Sequence, residues 1–308
     1  MLFRSVAQCY MMRIDVPATS ANLGSGFDSL GIALTLCNRV WMEEWDSVDI
    51  ASLDHTVVPT DESNLIYWAA QRLFEECGHH LPGLKIRQEN NIPMARGLGS
   101  SSACIVAGLL GANRMLGNPL SEQDLIRLAA KIEGHPDNTT PAISGGLVAS
   151  AMEGERVYSV SVPVSDKIRF AVFVPPFELK TELARKMLPE SYSREDAVYN
   201  LSRSALMTAS LFSGKIENLR VAVQDRLHQP YRSGLIEHYD QVFRITYELG
   251  SLGTYVSGAG PTIIALVPAD EADHFLSQAQ TQLAQKGIEN WQTDILAADP
   301  HGARITVE

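Results

Sequence analysis

Between residues 92 and 107 the chain sets Gly97 and Gly99 ahead of three consecutive serines, Ser100, Ser101 and Ser102, and follows them with residues 103–116, almost all apolar or small. Glycine carries no Cβ, so the backbone there can turn tightly and come close to a bound group. The first turn of a helix leaves several N–H groups without a partner inside the helix, and the helix dipole makes that end positive. A phosphate satisfies both conditions. On the loop alone, serines capping an ordinary core helix are the plainer reading. The position directly after the last glycine is Ser100, where a Walker loop has lysine, and no third spaced glycine or opening βα unit suits a dinucleotide site.

Other residues of suitable type stand in loops. Asn22 and Asp28 fall in residues 18–28, which are rich in small and polar side chains, and Glu133 and His135 fall in Glu133-Gly-His-Pro-Asp-Asn138. Each has a bland reading. Asn22 is an ordinary turn residue, Asp28 a cap, and His135 a loop imidazole held by local hydrogen bonds. Asn64 reads as the N-cap of the helix that follows it. Arg185 and Arg232 read as charges on solvated helix faces.

The elements that must position these residues follow from periodicity. Residues 13–17 are a short strand, and residues 30–50 hold one or two more. Leu65, Trp68, Ala69, Leu73 and Phe74 have helical spacing over 64–77, ending at Gly78, and residues 84–88 are a strand. Ser121, with Asp124 three positions on, opens a helix that ends near Glu133; the next residues read as a loop and 143–158 as a hairpin. A strand at 168–174 precedes helices predicted over 180–188, 194–212, 216–226 and 233–249. Strands at 254–256 and 262–267 flank the tight turn 257–261, a helix spans 269–286, and strands lie near Trp291 and Ile305. The composition shifts near residue 165, where we place a domain boundary.

With 308 residues the chain can bury a large core. Its 45% hydrophobic and 20% charged residues are those of an ordinary globular protein, and a net charge of −11 argues against a nucleic-acid or anionic-membrane surface. Cys9, Cys37, Cys77 and Cys104 show no C-x-x-C spacing and read as free thiols in a reducing compartment. No stretch approaches the roughly 18 apolar residues of a membrane span, and residues 1–10 are too weakly apolar for a signal peptide. We therefore expect a cytoplasmic protein in which residues 1–11 form a non-essential extension.

Several stretches taken together resemble the GHMP small-molecule kinases. Pro93-Met-Ala-Arg-Gly-Leu-Gly-Ser-Ser-Ser102 is similar to their phosphate-binding motif and Ser257-Gly-Ala-Gly-Pro-Thr262 to their C-terminal glycine motif. Pro17-Ala-Thr-Ser-Ala-Asn-Leu-Gly-Ser-Gly-Phe-Asp-Ser-Leu-Gly31 resembles the opening motif of the homoserine-phosphorylating branch. Residues 133–138, 179–185 and 224–232 resemble the same branch, and the matches keep their order over nearly the whole chain. Ser25 departs from a usual proline, and Thr139-Thr140 from a common Val-Ala pair. Some relatives place a metal-binding glutamate eight positions before the histidine, where this chain has Arg127.

The resemblance implies an α+β, two-domain GHMP kinase fold. A ribosomal-protein-S5-like domain with a left-handed βαβ unit would occupy residues 12–165 and a ferredoxin-like domain residues 166–308, with the active site in the cleft between them. It implies transfer of the ATP γ-phosphate to the hydroxyl of L-homoserine. Arg185 and Arg232 would hold the substrate carboxylate and Asp28 its ammonium, while Asn22 and His135 position the amino acid and its hydroxyl; Asn22, His135 and Arg185 would carry catalysis. Pro93, Arg96, Gly97, Leu98, Gly99, Ser100, Ser101 and Ser102 would bind ATP phosphates, Asn64 the adenine and Thr181 the nucleotide edge. Ser101 and Glu133 would ligate Mg²⁺, and Gly258 and Gly260 would let their turn pack near the phosphate loop. No equivalent appears of the aspartate–lysine pair with which some relatives activate the hydroxyl, so alignment and electrostatics are expected to suffice. Threonine as feedback inhibitor and a homodimer are further family-level expectations. The alternatives are a GHMP kinase for a mevalonate-like hydroxy acid and a ligand sensor without turnover.

Overall fold

The computed structural model describes residues 11–307, so nearly all of the expected N-terminal extension, with Cys9, lies outside the described residues. The chain opens with β1 (Met12–Ala21), β2 (Leu30–Glu44) and β3 (Asp49–Ser52), followed by helix α1 (Leu65–Glu76) and β4 (Leu84–Glu89). Helices α2 (Ser100–Met115), α3 (Glu122–Glu133) and α4 (Pro136–Ser144) come next, then the hairpin β5 (Leu147–Glu153) and β6 (Arg156–Val162). The remainder starts with β7 (Ile168–Val174), α5 (Thr181–Lys186) and α6 (Arg194–Ser213), continues through the short α7 (Leu219–Ala222) and α8 (Gln229–Arg232), and reaches α9 (Tyr239–Glu248). It finishes with β8 (Gly253–Val256), β9 (Ile263–Pro268), α10 (Ala272–Gln285), β10 (Gln292–Leu296) and β11 (Arg304–Val307).

The strands form two sheets, one of seven and one of four. In the larger, the order β11-β1-β2-β4-β3 is antiparallel except for the β3–β4 pair, and β2 also carries the β5–β6 hairpin. The smaller is antiparallel throughout, in the order β10-β7-β9-β8. The change of sheet falls between Val162 and Ile168, but β11 returns to the first sheet and pairs with β1. Alternation along β7 sends Phe170 and Val172 into the core shared with the first sheet, and Ala171 and Phe173 into a second core under α9 and α10. Among the described residues no helix is long and apolar enough to cross a membrane.

Local sequence explains the elements nearest the site. The Asn64 side chain accepts the Ile66 N–H to start α1, and Ser121 with Asp124 forms a reciprocal capping box on α3. The structure corrects three expectations. Residues 136–144 form a helix where a loop and the start of a hairpin were predicted, because Pro136 at the first helical position is pre-set for the turn while Pro141 and Thr139-Thr140 hide the period. Pro141 cannot donate to the Asp137 carbonyl, and that carbonyl lies over Gly31 of β2, where a Cβ would come within 1.8 Å of it. The long helices predicted over 216–226 and 233–249 are instead short pieces broken at 223–228 and 236–238. Asp225 causes the first break by accepting the N–H groups of Leu227, His228 and Gln229, which are thereby unavailable to a continuous helix.

Because Gly31 seats the Asp137 backbone, Gly31→Ala should destabilise the fold by about 1–3 kcal/mol. A lowered urea midpoint with an unchanged slope is the expected result.

Candidate active site

The phosphate-type loop is held from behind. Gly97 and Gly99 take left-handed backbone angles, φ +79° and +71°. A Cβ on Gly97 would stand 2.4 Å from the Ser257 carbonyl, and one on Gly99 would stand 2.0 Å from Thr19 Oγ1. Glycine is therefore required twice over, by backbone angle and by space. The C-terminal turn closes against the loop: Ser257 Oγ donates to the Gly97 carbonyl at 2.5 Å, and Thr262 N–H to the Arg96 carbonyl at 3.2 Å. Gly258 N–H donates to the end of β1 at Ala21, and Gly258 and Gly260 both take positive φ.

The serines do not cap α2. Its N-cap is Gly99, which has no side chain to offer the first-turn N–H groups. Ser101 and Ser102 turn sideways and donate to the two oxygens of Glu133, at 3.4 and 3.1 Å. The positive end of a buried 16-residue helix is thus left facing the cavity. Burial pushes the Glu133 carboxyl above its ordinary range, and burial with Glu133 as neighbour pushes the Cys104 thiol up to about 12.

Across the cavity, Arg185 of α5 grips Asp28 with two hydrogen bonds, 3.0 and 2.8 Å. This bidentate geometry is the strong form of the contact, although both side chains are about a third exposed and open to solvent screening. Asn22, itself at φ +72°, accepts from Asp28 N–H and donates to the Gly258 carbonyl, which fixes the Asp28 loop against the glycine turn. Arg232 is 1% exposed, donates to the same carbonyl and stacks over Phe27. His135 meets Asp137 through Nδ1 at 2.5 Å. Burial opposes charge on His135, but the Asp137 hydrogen bond and the Asp137 and Glu133 carboxylates outweigh it and raise its pKa.

One cavity is lined by Asn22, Asp28, Arg96, Gly97, Gly99, Ser100, Ser101, Ser102, Glu133, His135, Thr181, Arg185, Arg232, Gly258 and Gly260. Asn64, Pro93 and Leu98 are not on its wall. The Asn64 side chain is committed to Ile66 N–H, the Pro59 carbonyl and Gln88, and Leu98 is buried in the core. Arg96 lines the cavity, but its guanidinium donates to the carbonyls of Met94, Pro175 and Pro176 and so ties the loop to the end of β7. Phe27, Asp137 and Asn138 also line the cavity and were not singled out by sequence. The signal for the last two was their place in the stretch that holds His135. A shallower apolar hollow adjoins, walled by Leu65, Trp68, Ile105 and Ile132 with Thr181 and Glu182 opposite.

The residues fit a hard cation. Ser101 Oγ and Glu133 Oε2 are 3.4 Å apart, near the roughly 3 Å that separates adjacent oxygens around an octahedral Mg²⁺. Among the described residues no group of three or more His, Cys, Asp or Glu side chains could hold a metal.

Residues 64–146 match the family model for the GHMP kinases N terminal domain, and residues 207–285 that for the GHMP kinases C terminal. The chain belongs to the GHMP kinases, a family of ATP-dependent kinases. It is 44% identical to a homoserine kinase of Caldicellulosiruptor bescii over 298 residues, 96% of this chain and 97% of the relative. It is 45% identical to one of Clostridium beijerinckii over 300 residues, covering 96% and 98%. The crystal structure of a homoserine kinase from Cytophaga hutchinsonii superposes with a TM-score of 0.85 at 28% identity, covering 99% of this chain and all of that one. Within the family, the chain stands with the homoserine kinases.

The raised pKa of Glu133 carries a sign. Its proton is held more tightly in the folded state, so its burial costs nothing below the ordinary glutamate pKa and most above the raised one. Glu133→Gln, in chelator, should raise the thermal midpoint at pH 7.5 and leave it nearly unchanged at pH 4, as differential scanning fluorimetry would read.

Proposed function

We propose that this chain transfers the γ-phosphate of ATP to the hydroxyl of L-homoserine, giving O-phospho-L-homoserine and ADP, the step before threonine synthesis. The observation that carries the reading is the Asp28–Arg185 pair beside the exposed end of α2. A zwitterion can take the place of each partner for the other, its ammonium on Asp28 and its carboxylate on Arg185. Arg232 offers a second cation to the carboxylate, and its burial makes it a fixed one.

ATP phosphates lie at the first turn of α2, and the adenine lies against Leu65, Trp68, Ile105 and Ile132. Ser101 and Glu133 would hold Mg²⁺, whose charge would offset that of the transferring phosphate. The chain's own groups supply position. Asn22 holds Asp28 in place, and His135, anchored by Asp137, faces the substrate hydroxyl. Phosphoryl transfer demands little further covalent work, and no dedicated base is assigned. Threonine carries the same ammonium and carboxylate as homoserine, so it competes for the same pair and inhibits. Residues 12–165 and 166–308 supply the two walls of the cleft, the protein acts in the cytoplasm, and a homodimer belongs to the reading on family grounds alone.

A mevalonate-like acid has no ammonium and would leave Asp28 facing the wrong partner. A sensor without turnover would have no use for the Ser101–Glu133 arrangement.

ADP release with Mg²⁺-ATP should require L-homoserine and be absent with D-homoserine, mevalonate, L-serine or no acceptor. Release with mevalonate alone, or no release with any acceptor despite ATP binding, would overturn the assignment. Asp28→Asn should lower kcat/KM for L-homoserine by about 100-fold, the loss of a charged hydrogen bond of roughly 3 kcal/mol.

A further inference from the structure

Behind the cavity wall lies a wholly buried imidazole that the reaction as described does not use. His228 is 0% exposed and sits between two groups of opposite hydrogen-bonding demand. Its Nε2 is 2.7 Å from the Gly24 carbonyl, in the loop that carries Asn22 and Asp28. Its Nδ1 is 3.2 Å from Arg232 Nη1. A carbonyl only accepts and a guanidinium only donates, so Nε2 must carry the proton and Nδ1 must be bare. The neutral Nε2–H tautomer alone satisfies both neighbours. The ring also stacks on Phe27, at 5.2 Å between centroids, and Arg232 lies over Phe27 at 5.3 Å.

The backbone that presents His228 is equally fixed. Asp225 accepts the N–H groups of Leu227, His228 and Gln229 and the side-chain amide of Asn200. Asn200 in turn donates to the Ser25 carbonyl, next to Gly24. Arg232 donates besides to the carbonyls of Gly258 and Ala184, so its guanidinium is oriented from three sides. Without the imidazole, a buried guanidinium N–H would lose its acceptor and the Gly24 carbonyl its donor.

We infer that His228 is a positioning residue for the amino-acid half of the site: as a neutral Nε2–H imidazole it links the Gly24 loop to Arg232 and so sets the distance between the ammonium-holding and carboxylate-holding groups. It touches neither the phosphate loop nor the hollow assigned to the adenine, and its removal should be felt by one substrate only. The inference rests on the homoserine reading for its substrate, and on the structure alone for its tautomer.

The test has two arms. In steady-state kinetics, His228→Phe keeps the ring and removes both nitrogens; it should raise KM for L-homoserine about tenfold, the net effect of losing its two hydrogen bonds, and leave KM for ATP within about twofold. His228→Asn returns an acceptor close to the Nδ1 position and should recover part of that loss. Equal KM values for His228→Phe and wild type, a parallel rise in both KM values, or no recovery in His228→Asn would each overturn the inference. In the second arm, ¹⁵N shifts of ring-labelled histidine in the full chain should show a neutral Nε2–H imidazole for His228, assigned through its contact with the Phe27 ring. An Nδ1–H tautomer or an imidazolium at pH 7.5 would overturn the inference even where the variant fails to fold. Wild-type protein that did not turn over L-homoserine would sink the functional reading instead, and the spectrum would then decide the inference.

Discussion

The close meeting of two backbones, Gly97 against Ser257 and Gly260, is the constraint on which the site depends. Neither loop could hold its shape by itself, since the phosphate-type loop has no side-chain cap and the C-terminal turn is built from residues at positive φ. Each supplies hydrogen-bonding partners for the other. Their contact leaves the first turn of α2 directed at the cavity, and it brings the Gly258 carbonyl to where Asn22 and Arg232 both bind it. One peptide carbonyl thus joins the glycine turn, the loop that carries Asp28 and the fixed guanidinium. In the proposed reading a single rigid junction would place nucleotide and acceptor, as in-line transfer requires.

The charges around that junction are arranged by a second rule, in which each is met but not saturated. Asp28 and Arg185 hold one another at a half-exposed position where exchange for a ligand is inexpensive. Glu133 is met by two hydroxyls, which satisfy its oxygens without neutralising it. A half-buried carboxylate in that condition attracts a cation, and the penalty appears as its raised pKa. Stability is given up at the site for readiness to bind, as functional positions commonly show.

Much of this was legible beforehand, for reasons that differ by residue. The serine loop declared itself because glycine next to serine before an apolar run has few uses, and the capping box at Ser121 because its partner is three residues away. Asp28 and Arg185 were identified by family pattern, and their pairing with each other was not visible, because it joins residues 157 positions apart. Taken on the loop alone the serines read as caps, since sequence shows which groups can cap and not that Glu133 competes for them. Helix α4 was missed because Pro141 inside it is a local breaker whose cost is met by tertiary packing on Gly31. His228 carried no signal beyond its place in a matching stretch: a buried histidine and an exposed one read alike.

The pairing of β11 with β1 has a consequence for how the molecule is made. β1 leaves the ribosome well before β11, and one of its two edges stays open until residues 304–307 have emerged. Over the synthesis of the residues between them, the sheet that carries the Asp28 loop presents an unfilled hydrogen-bonding edge, the kind of surface on which nascent chains associate wrongly. The first sheet therefore closes only after the whole of the second sheet has been made.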